Sequence, residues 1–293
     1  VRWQLLSPWL WRHSGQGLNK IMNSATVFEL AAMSFRYPEA TALDGITLKI
    51  SKNERIALLG ANGSGKSTLL RLLAGLSFPS EGSAAFCGEP LTEGRFADDQ
   101  FSRGFRQRVG MVFQNSDVQL FNPTVFDEVA FGPLQLGWKK SEIIERVDAA
   151  LNDMEIFHLK HRSPHRLSGG EKKRVALASV LILDPEVLLV DEPTAALDPK
   201  SQGHVIDFLF GCAGKKTVIT ATHDLSIIED IADRCIVLEN GRIAGDATPH
   251  AILHDWNLLQ RAHLVHIHRH RHEAGGVHTH PHVHGAHEHG HMK

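Results

Sequence analysis

Residues 54–76 read ERIALLGANGSGKSTLLRLLAGL. The apolar run from Ile56 to Leu59 has the composition of a short strand buried on both faces. A glycine-rich turn follows, and from Ser67 the leucine-rich texture is that of a helix. Between strand and helix, Gly60 to Ser67 fits the pattern G-x-x-x-x-G-K-[ST]. Glycines at Gly60, Gly63 and Gly65 let a loop bend so that backbone N–H groups point at phosphate oxygens. The helix N-terminus adds the positive end of its dipole. Lys66 can reach the β- and γ-phosphates, and the Ser67 hydroxyl can ligate Mg²⁺. Asn62, Ser64 and Thr68 complete the candidate nucleotide-binding set.

Working outward, EVLLVDEPT (186–194) supplies a second half to this chemistry. A buried strand there would deliver Asp191 to its carboxyl end, where a phosphate-binding loop holds Mg²⁺. Glu192 follows directly and could polarise an attacking water as general base. Further strands are expected at 27–35, 42–50, 82–88, 108–113 and 217–222, and a hairpin over 234–246 around Asn240-Gly241. Helices are expected at 67–76, 141–154, 171–183 and 225–232. Alternating strands and helices indicate an α/β fold with a largely parallel sheet. The stretch 117–180 is mostly helical and reads as a lobe of its own.

Composition sets the outer bounds. The chain has 293 residues, of which 42% are hydrophobic and 22% charged, as in ordinary globular domains. The formal net charge of −2 gives no basic field, so no nucleic-acid partner is expected. Cys87, Cys212 and Cys235 are scattered and form no CxxC, which argues against a disulfide framework. No apolar run approaches the ~20 residues of a membrane span, so work at a membrane would go through a partner. Residues 1–22 carry three tryptophans but no signal-peptide pattern. They read as an extension ahead of a start at Met22, in preference to an interfacial anchor.

LSGGEKKR (167–174) lies between the two halves, and with it the chain resembles the ATP-binding subunits of ABC transporters. The resemblance covers roughly residues 27–246. It rests on an ordered set of elements: the loop at 60–67, Gln114 in VFQNSD, the signature LSGGE, the Asp191-Glu192 pair, AALD ending at Asp198, and His223 in TATHD. It implies a phosphate-loop NTPase over 26–250, with a RecA-like core, an antiparallel β subdomain and a helical signature subdomain at about 117–180. It further implies ATP and Mg²⁺ as cofactors and a head-to-tail homodimer. Each nucleotide would then lie between one subunit's loop and Ser168, Gly169 and Gly170 of the other. Those residues start a helix, so they offer a hydroxyl, amides and a dipole to the γ-phosphate. By the same resemblance, His223 contacts the γ-phosphate and the attacking water, and Gln114 senses Mg²⁺ and links the nucleotide to a membrane partner. Tyr37, the single tyrosine, sits where an aromatic stacks on adenine. The expected place of work is the cytoplasmic face of the cell membrane, against integral membrane components.

A narrower likeness lies in FQNSDVQLFNPTVFDEVAFGPLQLG (113–137), which is similar to energy-coupling-factor ATPases of nickel and cobalt uptake. Ser116 and Val118 depart from the Pro and Asp of that pattern. Phe121, Val125, Phe126, Val129 and Phe131 are expected either to grip a partner's cytoplasmic helices or to pack the lobe. Residues 263–293 then dissolve into His, Gly and Pro, a composition read as a disordered tail. Of the chain's 20 histidines, 12 lie from His263 to His291. His278, His280, His282, His284, His287, His289 and His291 could converge on a transition-metal ion such as Ni²⁺ or Co²⁺. His158, His161 and His165 are read as loop residues, because Pro164 breaks any helix that would align them. The favoured function is thus the ATPase of a nickel or cobalt importer. The competing readings are a vitamin importer, and a metal-storage or sensing protein with a regulatory nucleotide domain.

Overall fold

The computed structural model describes residues 26–271 and 277–283. The extension at 1–22 lies outside the described residues, and so do His284, His287, His289 and His291. Along the chain, β1 (Thr26–Tyr37) and β2 (Ala40–Ser51) lead into β3 (Arg55–Leu59) and α1 (Lys66–Leu73). Then come β4 (Glu81–Phe86), β5 (Glu89–Pro90), α2 (Glu93–Phe96), α3 (Asp99–Arg108) and β6 (Val109–Val112). The helices α4 (Val125–Gln135), α5 (Lys140–Asp153) and α6 (Gly169–Leu181) form the central lobe. They are followed by β7 (Val187–Asp191), α7 (Pro199–Gly211), β8 (Thr217–Thr222) and α8 (Ile228–Ile231). β9 (Arg234–Glu239), β10 (Arg242–Ala247), α9 (Pro249–His254), α10 (Trp256–Arg261), β11 (Val265–Arg271) and β12 (Val277–Val283) complete the order.

The main sheet runs β10-β9-β3-β8-β7-β6, and all of its pairings are parallel except β9 with β10. It is a wall between two cores. Along β3, Ala57 and Leu59 face one core while Ile56 and Leu58 face the other. On β7, Leu188 and Val190 alternate with Val187 and Leu189 in the same way. Strands covered on both faces need apolar residues at every position, which is why ERIALLG and EVLLV show no alternation. The first core also holds α4, α5 and α6. The second holds α1 and a separate antiparallel sheet of order β2-β1-β4-β5. The α/β core, antiparallel sheet and helical lobe together are the architecture the resemblance implies.

Parallel strands place all their carboxyl ends on one edge. Leu59 pairs with Thr222, Asp191 with Ala221, and Val112 with Val190. The residues that leave β3, β7, β8 and β6 therefore emerge side by side. Those residues are Gly60, Glu192, His223 and Phe113-Gln114.

Two expectations need correction. Residues 93–108, where no helix is expected from the sequence, form α2 and α3, each started by a side-chain cap. Thr92 accepts from the Arg95 amide, and Asp98 accepts from those of Gln100 and Phe101. The tail read as disordered from 263 instead carries β11 and β12, paired antiparallel from Val265↔Val283 to Arg271↔Val277. The reason is period-two alternation. Val265, Ile267, Val277, Thr279 and Val283, all β-branched, occupy every other ladder position or nearly so, a pattern the density of histidines obscures.

Candidate functional site

The loop after β3 is shaped by close backbone contacts. Gly60 has φ 150° and Gly65 φ 108°, where side-chain-bearing residues are strained. A Cβ at Gly60 would lie 2.4 Å from Ser64 Oγ and 2.5 Å from the Leu238 carbonyl, and one at Gly65 would lie 2.7 Å from the Ala42 carbonyl. The β9–β10 turn buttresses the loop from outside, with the Gly241 amide donating to the Ser64 carbonyl at 3.1 Å. Lys66 reaches back into the loop, its Nζ donating to the carbonyls of Gly60 (2.6 Å) and Ala61 (3.1 Å). Burial lowers the Lys66 pKa, and the carboxylates of Glu192 and Asp191 oppose that shift.

One open cleft brings together Tyr37, Asn62, Gly63, Gly65, Lys66, Ser67, Thr68, Gln114 and Glu192. Tyr37 stands at its rim, edge-on to Phe35 with ring centroids 5.0 Å apart. Asp191 is buried at the end of β7. Burial raises its pKa, while a hydrogen bond from the Ser67 hydroxyl pulls it back. Asp191 Oδ1 has no hydrogen-bond partner although it is fully buried. A lone carboxylate oxygen beside a hydroxyl is costly unless a cation completes it. A hard, oxygen-preferring ion such as Mg²⁺ fits this donor set, with Ser67 and Asp191 as candidate ligands and Gln114 lining the same cleft.

Glu192 turns its backbone to φ 44°, a left-handed conformation unusual for glutamate, and its amide donates to the Ala221 carbonyl at 2.8 Å. Such strain persists where surrounding contacts impose it. The turn buries the carboxylate and aims Oε1 at His223 Nδ1, 2.9 Å away, while the Thr222 hydroxyl donates to Oε2 at 3.4 Å. The His223 side chain stays 50% exposed. With Nδ1–H donating to Glu192, Nε2 is the free ring nitrogen.

The signature residues stand apart. Ser168 caps α6 in a reciprocal capping box, accepting from the Glu171 amide at 3.3 Å while its own amide donates to Glu171 Oε2 at 2.8 Å. That amide bond is the main cause of the lowered Glu171 pKa. Gly169 lines a second crevice with Gln114, Asn115 and Ala196, outside the Lys66 cleft. A Cβ at Gly170 would lie 2.1 Å from Ser201 Oγ, so α6 begins tight against α7. Asp198 caps α7, accepting from the Ser201 amide (3.1 Å) and hydroxyl (2.6 Å). In one chain, then, Ser168, Gly169, Gly170 and Asp198 do not meet the Lys66 loop.

Sequence reasoning missed Lys173. It is 2% exposed on α6, and its Nζ donates to the carbonyls of Phe113 (3.0 Å) and Gln114 (3.1 Å). It ties the signature helix to the Gln114 segment. Burial pulls its pKa down from 10.5 to about 8 against the attraction of Asp191 and Glu192. The readable signal was a lysine three and four residues ahead of Ala176 and Leu177, on the apolar face of the helix. The five candidate lobe residues divide. Val125 and Val129 are core, Phe126 is half-buried against that core, and Phe121 and Phe131 are exposed and in edge-on contact at 5.1 Å. No helix among the described residues is long and apolar enough to cross a membrane.

Several known proteins resemble this chain over most of its length. Residues 43–195 match the ABC transporter family. The chain is 53% identical over 242 residues to the nickel import ATP-binding protein NikO of Rhodobacter capsulatus, covering 81% of this chain and 95% of that one. Among solved structures it is similar to cbiO1 from Clostridium perfringens, described as part of the ABC transporter complex cbiONQ. The TM-score is 0.70 at 35% identity, covering 82% of this chain and 95% of that one. It is also similar to the ATP-binding cassette MJ0796, solved as a dimer bound to ADP and Pi in a post-hydrolysis state. There the TM-score is 0.68 at 28% identity, over 76% of this chain and 98% of the other.

Proposed function

The chain belongs to the ABC transporter family as an ATP-hydrolysing subunit, and from that premise we propose that it energises import of a transition-metal ion, nickel or cobalt, through membrane partners. The observation that carries the metal assignment is the 53% identity to a nickel import ATPase over 95% of that protein and 81% of this chain. The histidines from His278 to His291 favour the same cargo and would serve as a local reservoir of Ni²⁺ or Co²⁺.

In this reading the 60–67 loop amides and Lys66 hold the β- and γ-phosphates, and Tyr37 stacks on the adenine. Ser67, Asp191 and Gln114 would hold Mg²⁺, which when bound neutralises charge developing on the phosphates. Glu192 orients the attacking water and takes its proton on the carboxylate, an effect typically worth ~10²–10⁴-fold. His223 fixes that carboxylate through Nδ1 and presents Nε2 toward the γ-phosphate. Because Ser168, Gly169 and Gly170 lie away from the Lys66 cleft of their own chain, a second copy must bring its own set to close the site. The ATPase pair is therefore a homodimer at the cytoplasmic face of the membrane. Exposed Phe121 and Phe131 offer an apolar contact to the integral membrane components.

The test is uptake by the complex assembled with its co-purifying membrane proteins. Nickel or cobalt uptake should require ATP and stop with Glu192→Gln, while that variant still binds ATP and accumulates as a dimer. Metal-independent vitamin uptake by the same complex would overturn the cargo, and near wild-type hydrolysis by Glu192→Gln would overturn the base.

A further inference from the structure

We propose that the terminal hairpin is a transition-metal site built as a ladder of histidines across β11 and β12. The proposal deepens the reservoir reading above and rests on it, but it adds His266, His268 and His270 as ligands. The register pairs His266 with His282, His268 with His280 and His270 with His278. The alternate rungs are Val265↔Val283, Ile267↔Pro281, Arg269↔Thr279 and Arg271↔Val277. Strand faces alternate with period two, so all six histidines of the three rungs belong to one face of the hairpin.

That placement has the dimensions of a metal site. Directly opposed residues of an antiparallel pair have Cβ atoms ~4.5–5.5 Å apart. Metal–imidazole bonds are ~2.0–2.1 Å long. Two histidines at opposed positions are thus close enough to share one ion. The next rung on the same face is ~7 Å along the strand, so it can supply further donors to the same ion. Neutral imidazole selects later first-row divalent ions such as Ni²⁺, Co²⁺ and Zn²⁺. Among the residues whose side chains are described, no group of three or more histidine, cysteine or carboxylate side chains could hold a metal.

The fold gives the site a fixed base. Leu264 and Val265 are buried in the core that also takes in Leu258 and Leu259 of α10. Beyond that anchor the sheet has only two strands. An isolated hairpin of this kind is marginal in water. An ion bridging the strands binds the paired form and not the open one, so metal binding and strand pairing are linked. The key ligands on this view include His266, His268 and His270, none of which a tail-only site would require.

The experiment titrates the purified full chain separately with Ni²⁺, Co²⁺ and Zn²⁺ by calorimetry at neutral pH. Two variants are compared with it: a triple His266/His268/His270→Gln, and a quadruple His284/His287/His289/His291→Gln. The triple variant removes every rung yet keeps all seven histidines from 278 to 291. Loss of the cross-strand chelate is expected to weaken binding on the order of 10²-fold. The quadruple variant should keep the high-affinity site. Hydrogen exchange in 265–283 should slow with metal in the wild type and not in the triple variant, and retained basal ATPase activity reports that each variant is folded. Wild-type affinity in the triple variant, or an equal or larger loss in the quadruple one, overturns the ladder and leaves the reservoir on the distal tail. Absence of any binding by the full chain overturns ladder and reservoir together, and leaves the ATPase assignment standing.

Discussion

Lys173 offers the sharpest physical test, because its environment sets two large terms against each other. Its ammonium donates to the carbonyls of Phe113 and Gln114, and hydrogen bonds from a charged group contribute ~1.5–3 kcal/mol each. Against this stands the cost of burying the charge. The displacement from 10.5 to about 8 corresponds to about 3 kcal/mol disfavouring the protonated form. Stability at pH 7 is a poor readout of Lys173→Met, since the lost bonds and the relieved burial offset each other. The pH dependence separates them. Between pH 8 and 10.5 the unfolded chain keeps a proton on Lys173 that the native state has released, so native stability rises with pH there. The contribution is fully present above 10.5 and is lost as pH falls through about 8.

The slope is ~1.4 kcal/mol per pH unit over that window. Urea unfolding of the nucleotide-free protein at pH 7.5 and 9.5, for wild type and Lys173→Met, isolates the term because the variant cannot titrate there. Wild type should gain about 2 kcal/mol over the variant between the two pH values. A difference that stays flat would show that Lys173 titrates near its ordinary value. The inferred burial of charge under the Gln114 segment would then be refuted.

Gly60→Ala should abolish nucleotide binding and destabilise the fold by ~1–3 kcal/mol, because the new Cβ meets the Leu238 carbonyl at 2.5 Å and the backbone sits at φ 150°. Nucleotide titration and thermal unfolding check both. Tyr37→Ala should weaken ATP binding about 10-fold, within the ~1–3 kcal/mol of an aromatic–base stack. Tyr37→Phe should be nearly silent, since Tyr37 Oη touches only Thr68 Oγ1 at a long 3.5 Å. Binding assays on the two variants decide whether the ring or the hydroxyl matters.

What could be read from the sequence was whatever is local. GANGSGKST encodes its own turn geometry, and uninterrupted runs such as VLLV reveal strands buried on both faces. Glu192 and His223 were legible as candidates, but not their 2.9 Å contact, because that depends on β7 and β8 being neighbours in the sheet. Lys173 was hidden by its type, since a lysine in a charged EKKR run looks solvated until the helix face is known. Helices α2 and α3 were lost because α2 is only one turn long and α3 offers a single apolar pair at helical spacing, Phe101 and Phe105, although caps at Thr92 and Asp98 mark both starts. In the terminal hairpin the period-two signal lay in the residues between the histidines, where composition draws the eye elsewhere.

The proposed pairing of two copies rests on the sheet and the helix starts taken together. Parallel strands gather Gly60, Gln114, Glu192 and His223 on one edge, and α1 points its N-terminus into the cleft there. The N-terminus of α6 belongs to the other side of the Gln114 segment, held by Lys173 below and by Ser201 against Gly170. Its capping box satisfies the amides of Ser168 and Glu171, but the first amides of any helix have no acceptor within it. Gly169 and Gly170 carry those amides; Gly169 is exposed, while Gly170 is buried against the Ser201 side chain. Each chain therefore presents a phosphate site that lacks a second set of donors, and a set of donors remote from its own phosphate site. In the proposed homodimer two copies exchange them. Lys173 joins the donor helix to the residue that lines the nucleotide cleft, so in the proposed homodimer closure by the partner would be felt at Gln114 of the same chain.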